Sequence, residues 1–236
     1  MLTVEEFAKH LDTAFLNPAL DESEIRKQAQ IARKEGVATF YTNPTWTSVV
    51  AEELAGSDVR VGCACAFPHG ANALKIKEAE LADAVENGAT CLDLVCNTGA
   101  IKSGNWELIE KEIAALRSAA SGDCLAKLII ETCFLTDEEL IHVVKLGSQG
   151  GVDYVKSGTN AQGKSQDWRV RLMLDNVEGD TKVKVSALPD SFMMSTILHL
   201  IDEGVKLFGT MYAADCIHEY RDYLAWKANG SAVAAN

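Results

Sequence analysis

Apolar residues in this chain gather into short, dense, β-branched runs. Longer stretches of helical periodicity separate them. The runs are 39–43 with its neighbours (VATFYTN), 59–67 (VRVGCACAF), 91–97 (CLDLVCN), 125–132 (LAKLIIET), 152–158 (VDYVKSG), 182–188 (KVKVSAL) and 205–210 (VKLFGT). A weaker run at 10–14 precedes them. Most are almost continuously apolar, as strands covered on both faces should be. Helical patterns occupy 22–35, 45–55, 71–87, 106–120, 136–146, 167–176 and 191–203. The first has acids early and bases late, matching the helix dipole. The fifth opens with the capping-box spacing Thr136-Asp137-Glu138-Glu139.

Strand followed by helix, repeated at intervals of roughly 28 residues, predicts parallel βαβ units. Seven or eight such units in one chain of 236 residues favour a single α/β domain, a closed (β/α)8 TIM barrel, over an open doubly wound sheet. No G-x-G-x-x-G follows a strand, which counts against a dinucleotide fold. The barrel is expected over residues 1–227. The small, polar tail 228–236 (ANGSAVAAN) is expected to be disordered.

The net charge of −12 argues against nucleic acid or an anionic membrane as partner, and no basic run appears. Seven cysteines lie scattered through apolar runs. An odd, dispersed set suits buried reduced thiols and a cytoplasmic location, not a disulfide framework. No pair of cysteine motifs has zinc spacing, so no metal site is expected. No stretch approaches the ~20 apolar residues of a membrane span, and the N-terminus does not read as a signal peptide.

Charged residues inside strands carry the chemistry. Asp12, Asp93, Lys127, Lys156 and Lys184 fall within the runs, and such residues are rarely buried without a partner. Lys182 opens its strand and is expected to reach solvent. Clustered ammonium groups depress one another's pKa, and a lysine so tuned is a nucleophile toward carbonyl carbon. A nearby carboxylate can then move protons. A structural ion-pair network is the alternative, and periodicity does not select the nucleophile. His69 reads as loop packing. Trp106, Trp168 and Trp226, at helical spacings, read as core or interface groups.

The segments Leu11-Asp12-Thr13, Asn43-Pro44, Phe67-Pro68-His69-Gly70-Ala71-Asn72, Glu86-Asn87-Gly88-Ala89, Leu92-Asp93-Leu94-Val95, Gly99-Ala100-Ile101-Lys102-Ser103-Gly104, Lys127-Leu128-Ile129-Ile130-Glu131-Thr132 and Val155-Lys156-Ser157 occur in a telling order. Over roughly residues 8–222 the chain resembles the deoxyribose-phosphate aldolase family. These are class I aldolases that join acetaldehyde and glyceraldehyde 3-phosphate. The resemblance implies Lys156 as the Schiff-base lysine and Lys184 as the lysine that lowers its pKa. It implies Asp93 as the proton relay, working with a water, and Asp12 and Lys127 as supporting residues. It further implies a small carbonyl substrate, no organic cofactor, and a homo-oligomer.

The phosphate end departs from the family pattern. Asn160 follows Ser157-Gly158-Thr159 where the family has a glycine. Leu188-Pro189-Asp190 stands in place of two glycines, and Met211-Tyr212 follows Gly209-Thr210 in place of hydroxyl residues. Glycines let backbone amides approach an oxyanion. Thr159, Asn160, Leu188, Gly209 and Met211 are therefore expected to line a substrate pocket with weakened phosphate recognition, which Lys164 partly compensates. Another Schiff-base activity on the same barrel, transaldolase-like or dehydratase, is the alternative. A non-catalytic binding relative is the remaining one.

Overall fold

The structure is a computed structural model that describes residues 1–186 and 193–233. Eight parallel strands close into a barrel in the order β1 to β8. They are β1 (Leu11–Ala14), β2 (Thr39–Thr42), β3 (Arg60–Cys65), β4 (Cys91–Val95), β5 (Leu125–Ile129), β6 (Tyr154–Lys156), β7 (Lys182–Val185) and β8 (Leu207–Thr210). Around them lie α1 (Val4–Ala8), α2 (Glu22–Glu35), α3 (Thr47–Leu54), α4 (Leu74–Glu86), α5 (Thr98–Lys102), α6 (Trp106–Ala119), α7 (Asp137–Gln149), α8 (Asp167–Leu174), α9 (Met194–Glu203) and α10 (Ala213–Val233). The expected (β/α)8 barrel is thus the observed fold.

The helices begin and end for local reasons. The Asp21 side chain accepts the Glu24 amide at the start of α2, and Gly36 closes that helix in the left-handed region. Thr136 and Glu139 form the capping box of α7. The Asn-Pro start expected to open a helix at 45 instead opens a single 3₁₀ turn, Pro44–Trp46, before α3. That turn lets proline occupy a first-turn position where its missing N–H costs nothing. Two short helices, α1 and α5, are too brief to show periodicity. α10 also has no counterpart in the sequence pattern. It runs on through residues 228–233 of the segment for which disorder is expected, and 234–236 lie outside the described residues.

The strands alternate strictly between two environments. Leu11, Phe40, Cys63, Leu92, Leu94, Leu128, Val155, Val183 and Phe208 point outward into the apolar layer beneath the helices. Burying each such leucine or phenylalanine contributes ~1.5–3 kcal/mol, so this layer holds the barrel closed. The intervening positions Asp12, Tyr41, Asp93, Lys127, Lys156 and Lys184 take no part in that layer. With a side-chain period of two, they face the barrel axis. Strand register brings them level: Asp93 pairs with Lys127, Lys156 with Lys184, and Asp12 with Gly209.

Outside the axis, one further charged pair among the described residues is fully buried. Lys77 of α4 donates to Glu112 of α6 at 2.6 Å and to the Val95 carbonyl at 2.9 Å. Glu112 in turn accepts the Asn97 amide. This pair pins the exit of β4, the strand that carries Asp93. Trp106 stacks on His142 at 4.1 Å, partly buried against the core. Trp168 and Trp226 are exposed, which corrects any core assignment for them. Tyr220, Tyr223 and Trp226, at i, i+3 spacing, form a stacked row along α10.

Candidate active site

Five charged side chains from five strands form one chain of ion pairs across the barrel. Lys156 Nζ lies 2.8 Å from Asp93 Oδ2, and Lys184 Nζ lies 2.9 Å from the same oxygen. Lys184 also reaches Asp12 Oδ2 at 2.7 Å, and Lys127 reaches that oxygen at 2.8 Å. Three ammonium groups thus face two carboxylates. Fully charged, the cluster holds one uncompensated positive charge, which is costly in a buried setting. Releasing one proton makes it neutral.

The electrostatics identify which proton leaves most easily. The Lys156 pKa is lowered to about 8: burial is the largest influence, Asp93 opposes it, and Lys184 adds to the lowering. Repulsion between lysines, the cause expected from the sequence, is therefore secondary to desolvation. Lys127 behaves oppositely: burial alone would lower it, but Asp12 and its other anionic neighbours raise it above the ordinary lysine range. Burial alone would push Asp93 up, yet Lys156, Lys184 and Lys127 hold it well below the usual carboxylate range. Asp12 is likewise held down, burial being outweighed by Lys127 and Lys184. Both acids remain anionic through neutral pH.

Access separates the lysines further. A cavity of about 340 Å³ opens at the C-terminal ends of the strands. Lys156 and Lys184 lie on its floor. Lys127 is completely buried behind Asp12, whereas Lys156 is 6% exposed. Thr159, Asn160, Lys164, Gly209, Thr210, Met211 and Tyr212 also line it. Four of the five residues expected to line a substrate pocket are therefore beside Lys156. The fifth, Leu188, lies outside the described residues, as does Asp190. His69 does not line this cavity; it hydrogen-bonds Gln162 at 2.6 Å and joins two loops. Lys182 is exposed, as its place at a strand start suggests. A larger groove of about 890 Å³ lies outside the barrel along α4 and α6, and no strand residue lines it.

Two side chains of the site escaped the sequence reading. The ring of Tyr41 lies beneath the cluster, 4.1 Å from Lys184 Nζ and within 6 Å of Lys127 and Lys156. Its face attracts cations, and its hydroxyl meets the Cys91 thiol at 2.8 Å. A Cβ on Gly62 would come within 2.8 Å of that ring, so the glycine leaves room for it. A tyrosine opposite a glycine in neighbouring strands was the available signal. Glu131, at the exit of β5, is the second. It is buried, adopts a positive φ of 47°, and accepts the Thr159 amide at 2.6 Å. Among the described residues no His, Cys, Asp and Glu grouping could hold a metal ion. None of the described helices is long and apolar enough to cross a membrane.

Comparison with known proteins points the same way as the geometry. The family model of the DeoC/LacD family aldolases matches residues 7–190. A deoxyribose-phosphate aldolase of Brevibacillus brevis is 40% identical over 86% of this chain and 90% of its own length. One from Clostridium tetani is 34% identical over 91% of this chain and 99% of its own. Among solved structures, the aldolase QR15 superposes with a TM-score of 0.84 at 27% identity, covering 94% of this chain and 97% of that one. The tetrameric deoxyribose phosphate aldolase of Aeropyrum pernix superposes at 0.81 with 24% identity, covering 93% and 92%, and at that distance it speaks for the fold. The chain belongs to the DeoC/LacD family of aldolases and is an aldehyde-lyase.

Proposed function

We propose that this protein cleaves and forms carbon–carbon bonds through a Schiff base on Lys156. The observation that carries this reading is the coincidence of access and basicity: Lys156 lies on the cavity floor with its pKa lowered by burial to about 8. The free amine adds to the substrate carbonyl, and loss of water gives an iminium ion. Removal of the proton from the β-hydroxyl then lets the bond between the α and β carbons break. Its electron pair moves into the iminium to form an enamine, and an aldehyde departs. Protonation of the enamine carbon and addition of water release the second carbonyl product and regenerate the amine. Asp93, touching both Lys156 and Lys184, exchanges protons with the reacting lysine. Lys184 contributes positive charge, and Asp12 with Lys127 holds Lys184 in place. No step requires a metal or an organic cofactor.

The substrate we propose is a hydroxy-aldehyde or hydroxy-ketone without a phosphate. Three backbone amides near the cavity are already engaged by side chains. Thr159 donates to Glu131, Ala161 to the Thr159 hydroxyl, and Tyr212 to the Thr210 hydroxyl. Amides so engaged offer nothing to an anion. Met211 and Tyr212 add bulk on the same wall. Deoxyribose 5-phosphate is the second reading, favoured by the name of the relatives and by Lys164, whose ammonium lies on the cavity wall bound to the Asn160 side chain at 2.6 Å. Association into a homo-oligomer and a cytoplasmic location complete the proposal; the tetrameric relative supports the first, and reduced thiols support the second.

Borohydride trapping tests it. The protein is incubated with acetaldehyde, deoxyribose, deoxyribose 5-phosphate and dihydroxyacetone, reduced, and mapped by mass. Adducts are expected on Lys156 and absent from Lys156→Ala. Product analysis separates aldol cleavage from dehydration or transaldol transfer. If no carbonyl compound labels Lys156, the mechanism is wrong.

A further inference from the structure

The cavity above Lys156 has two unlike sides. The exits of β6 and β7 bring Thr159, Asn160, Lys164 and Ser186 to it, all polar. The next strands in barrel order are β8, β1, β2 and β3. They and their exits bring Met211, Tyr212, Leu16, Tyr41 and Phe67. Because these strands are consecutive neighbours in the closed sheet, their large side chains form one apolar arc.

The arc rises from the floor to the rim. Tyr41 is buried beneath the lysine cluster, Leu16 and Phe67 are half-buried, and Met211 and Tyr212 are 53% and 52% exposed. The outer pair is what distinguishes this chain, since it stands where hydroxyl residues are expected after Gly209-Thr210. Its backbone is held at both ends. The Tyr212 amide donates to the Thr210 hydroxyl at 3.1 Å, and the Tyr212 carbonyl accepts the Cys216 amide at 3.0 Å, in the first turn of α10. Two large apolar side chains are thus fixed in water at the mouth of a catalytic cavity. A single exposed apolar residue is ordinary, but an adjacent pair that continues a buried apolar floor beside polar groups marks a ligand surface. The distance suits a substrate tail. A Cβ on Gly209 would lie 3.9 Å from Lys156 Cε, so β8 passes beside the reacting lysine, and Tyr212 is at most ~10 Å farther along the chain. A two-carbon aldehyde on Lys156 stays near the floor, whereas groups beyond the β carbon of an aldol extend to the rim.

We infer that the aldehyde released on cleavage carries an alkyl or aryl tail, which lies along Met211 and Tyr212 while the substrate hydroxyl faces the polar side. In cleavage the tail leaves with the β carbon. In synthesis it arrives on the acceptor aldehyde, and the enamine on Lys156 is the same in both directions. This names the substrate class of the Lys156 site and rests on the reading of Lys156 as the Schiff-base lysine.

The experiment holds acetaldehyde as donor and measures kcat and KM for hexanal, phenylacetaldehyde, glyceraldehyde and glyceraldehyde 3-phosphate as acceptors, with the aldol products quantified by chromatography. The parent is expected to favour the two apolar aldehydes over both others by roughly tenfold in kcat/KM. Met211→Ser and Tyr212→Ser combined should cut that preference about tenfold, through KM, the low end for apolar contacts because the rim is open. Met211→Ser alone stands in if the double variant fails to fold. A parent that prefers glyceraldehyde or its phosphate overturns the inference, as does a preference that survives the substitutions or an equal fall in kcat on every acceptor. A surviving preference with a changed sedimentation coefficient also overturns it, and assigns the pair to contact with a second copy of the chain. Absence of a borohydride-trapped acetaldehyde adduct on Lys156 is a different failure, that of the Lys156 reading itself, and takes the inference with it.

Discussion

Lys184→Met removes one charge from the cluster while keeping its volume. Lys184 and Lys156 both touch Asp93 Oδ2, at 2.9 and 2.8 Å, so their nitrogens are at most about 5.7 Å apart. Two like charges at that distance repel by ~3 kcal/mol at an effective dielectric constant of ~20, and by half that in a wetter setting. A pKa unit corresponds to ~1.4 kcal/mol, so losing Lys184 should raise the Lys156 pKa by roughly one to two units. The direction is fixed by the reaction: the free amine is the nucleophile, so activity rises with pH as Lys156 loses its proton, and raising its pKa moves that rise to higher pH. With the pKa at about 8, roughly a tenth of the protein carries a free amine at pH 7. After the substitution, kcat/KM at pH 7 should fall roughly 10- to 100-fold, with much of the loss recovered toward pH 10. The assay is kcat/KM for retro-aldol cleavage between pH 6 and 10.5, alongside borohydride trapping over the same range. A uniform loss at every pH, with the acid limb unmoved, would refute the electrostatic role and reduce Lys184 to a structural ion pair.

Other substitutions probe separate parts of the same structure. In Gly209→Ala the added Cβ would lie 3.3 Å from Lys184 Cε and 3.9 Å from Lys156 Cε, so crowding should cost ~1–3 kcal/mol in stability, read by urea unfolding, and should lower kcat. If Gly209→Ala behaves as the parent, Gly209 does not keep the lysine stems clear. Tyr41→Leu strips the cation-attracting ring from beneath Lys184 and should shift the pH profile, whereas Tyr41→Phe keeps the ring and should leave the profile nearly in place. Equal profiles for the two variants would show that the ring is packing alone. Glu112→Leu strands the buried Lys77 ammonium and should destabilise the fold by ~3–5 kcal/mol without moving the acid limb of activity. Asp21→Ala removes the cap of α2 and should cost ~1 kcal/mol in thermal or chemical unfolding, with catalysis unchanged.

Much of the barrel could be read along the chain because burial on both faces leaves a plain linear trace. β4 and β5 are nearly pure apolar runs, so the single Asp93 and Lys127 within them stand out. α2 carries its own start and stop, Asp21 and Gly36, and its observed bounds coincide with the expected ones. Elements without such local marks were missed. α5 is too short for a period to show, and the α10 sequence mixes small and polar residues, so its helical state owes more to packing on α1 than to pattern. Trp226 lies outside the core because spacing reports a helix face without saying whether this chain covers it.

The site follows the same division. Charged residues inside apolar strands are conspicuous in one dimension, since the cost of burying them without partners is high wherever they land. Their order across the barrel, Lys156 to Asp93 to Lys184 to Asp12 to Lys127, depends on strand register and closure, which bring together residues up to 172 positions apart. So does the difference between Lys156 and Lys127. Both are lysines in strands, but one ends at a cavity and the other behind a carboxylate, and local desolvation and pairing then move their basicity in opposite directions. Composition and periodicity are properties of neighbours in the chain, and they suffice to specify a barrel with charge at its axis. A pKa and an open path to solvent are properties of neighbours in space, and only the closed fold assigns them.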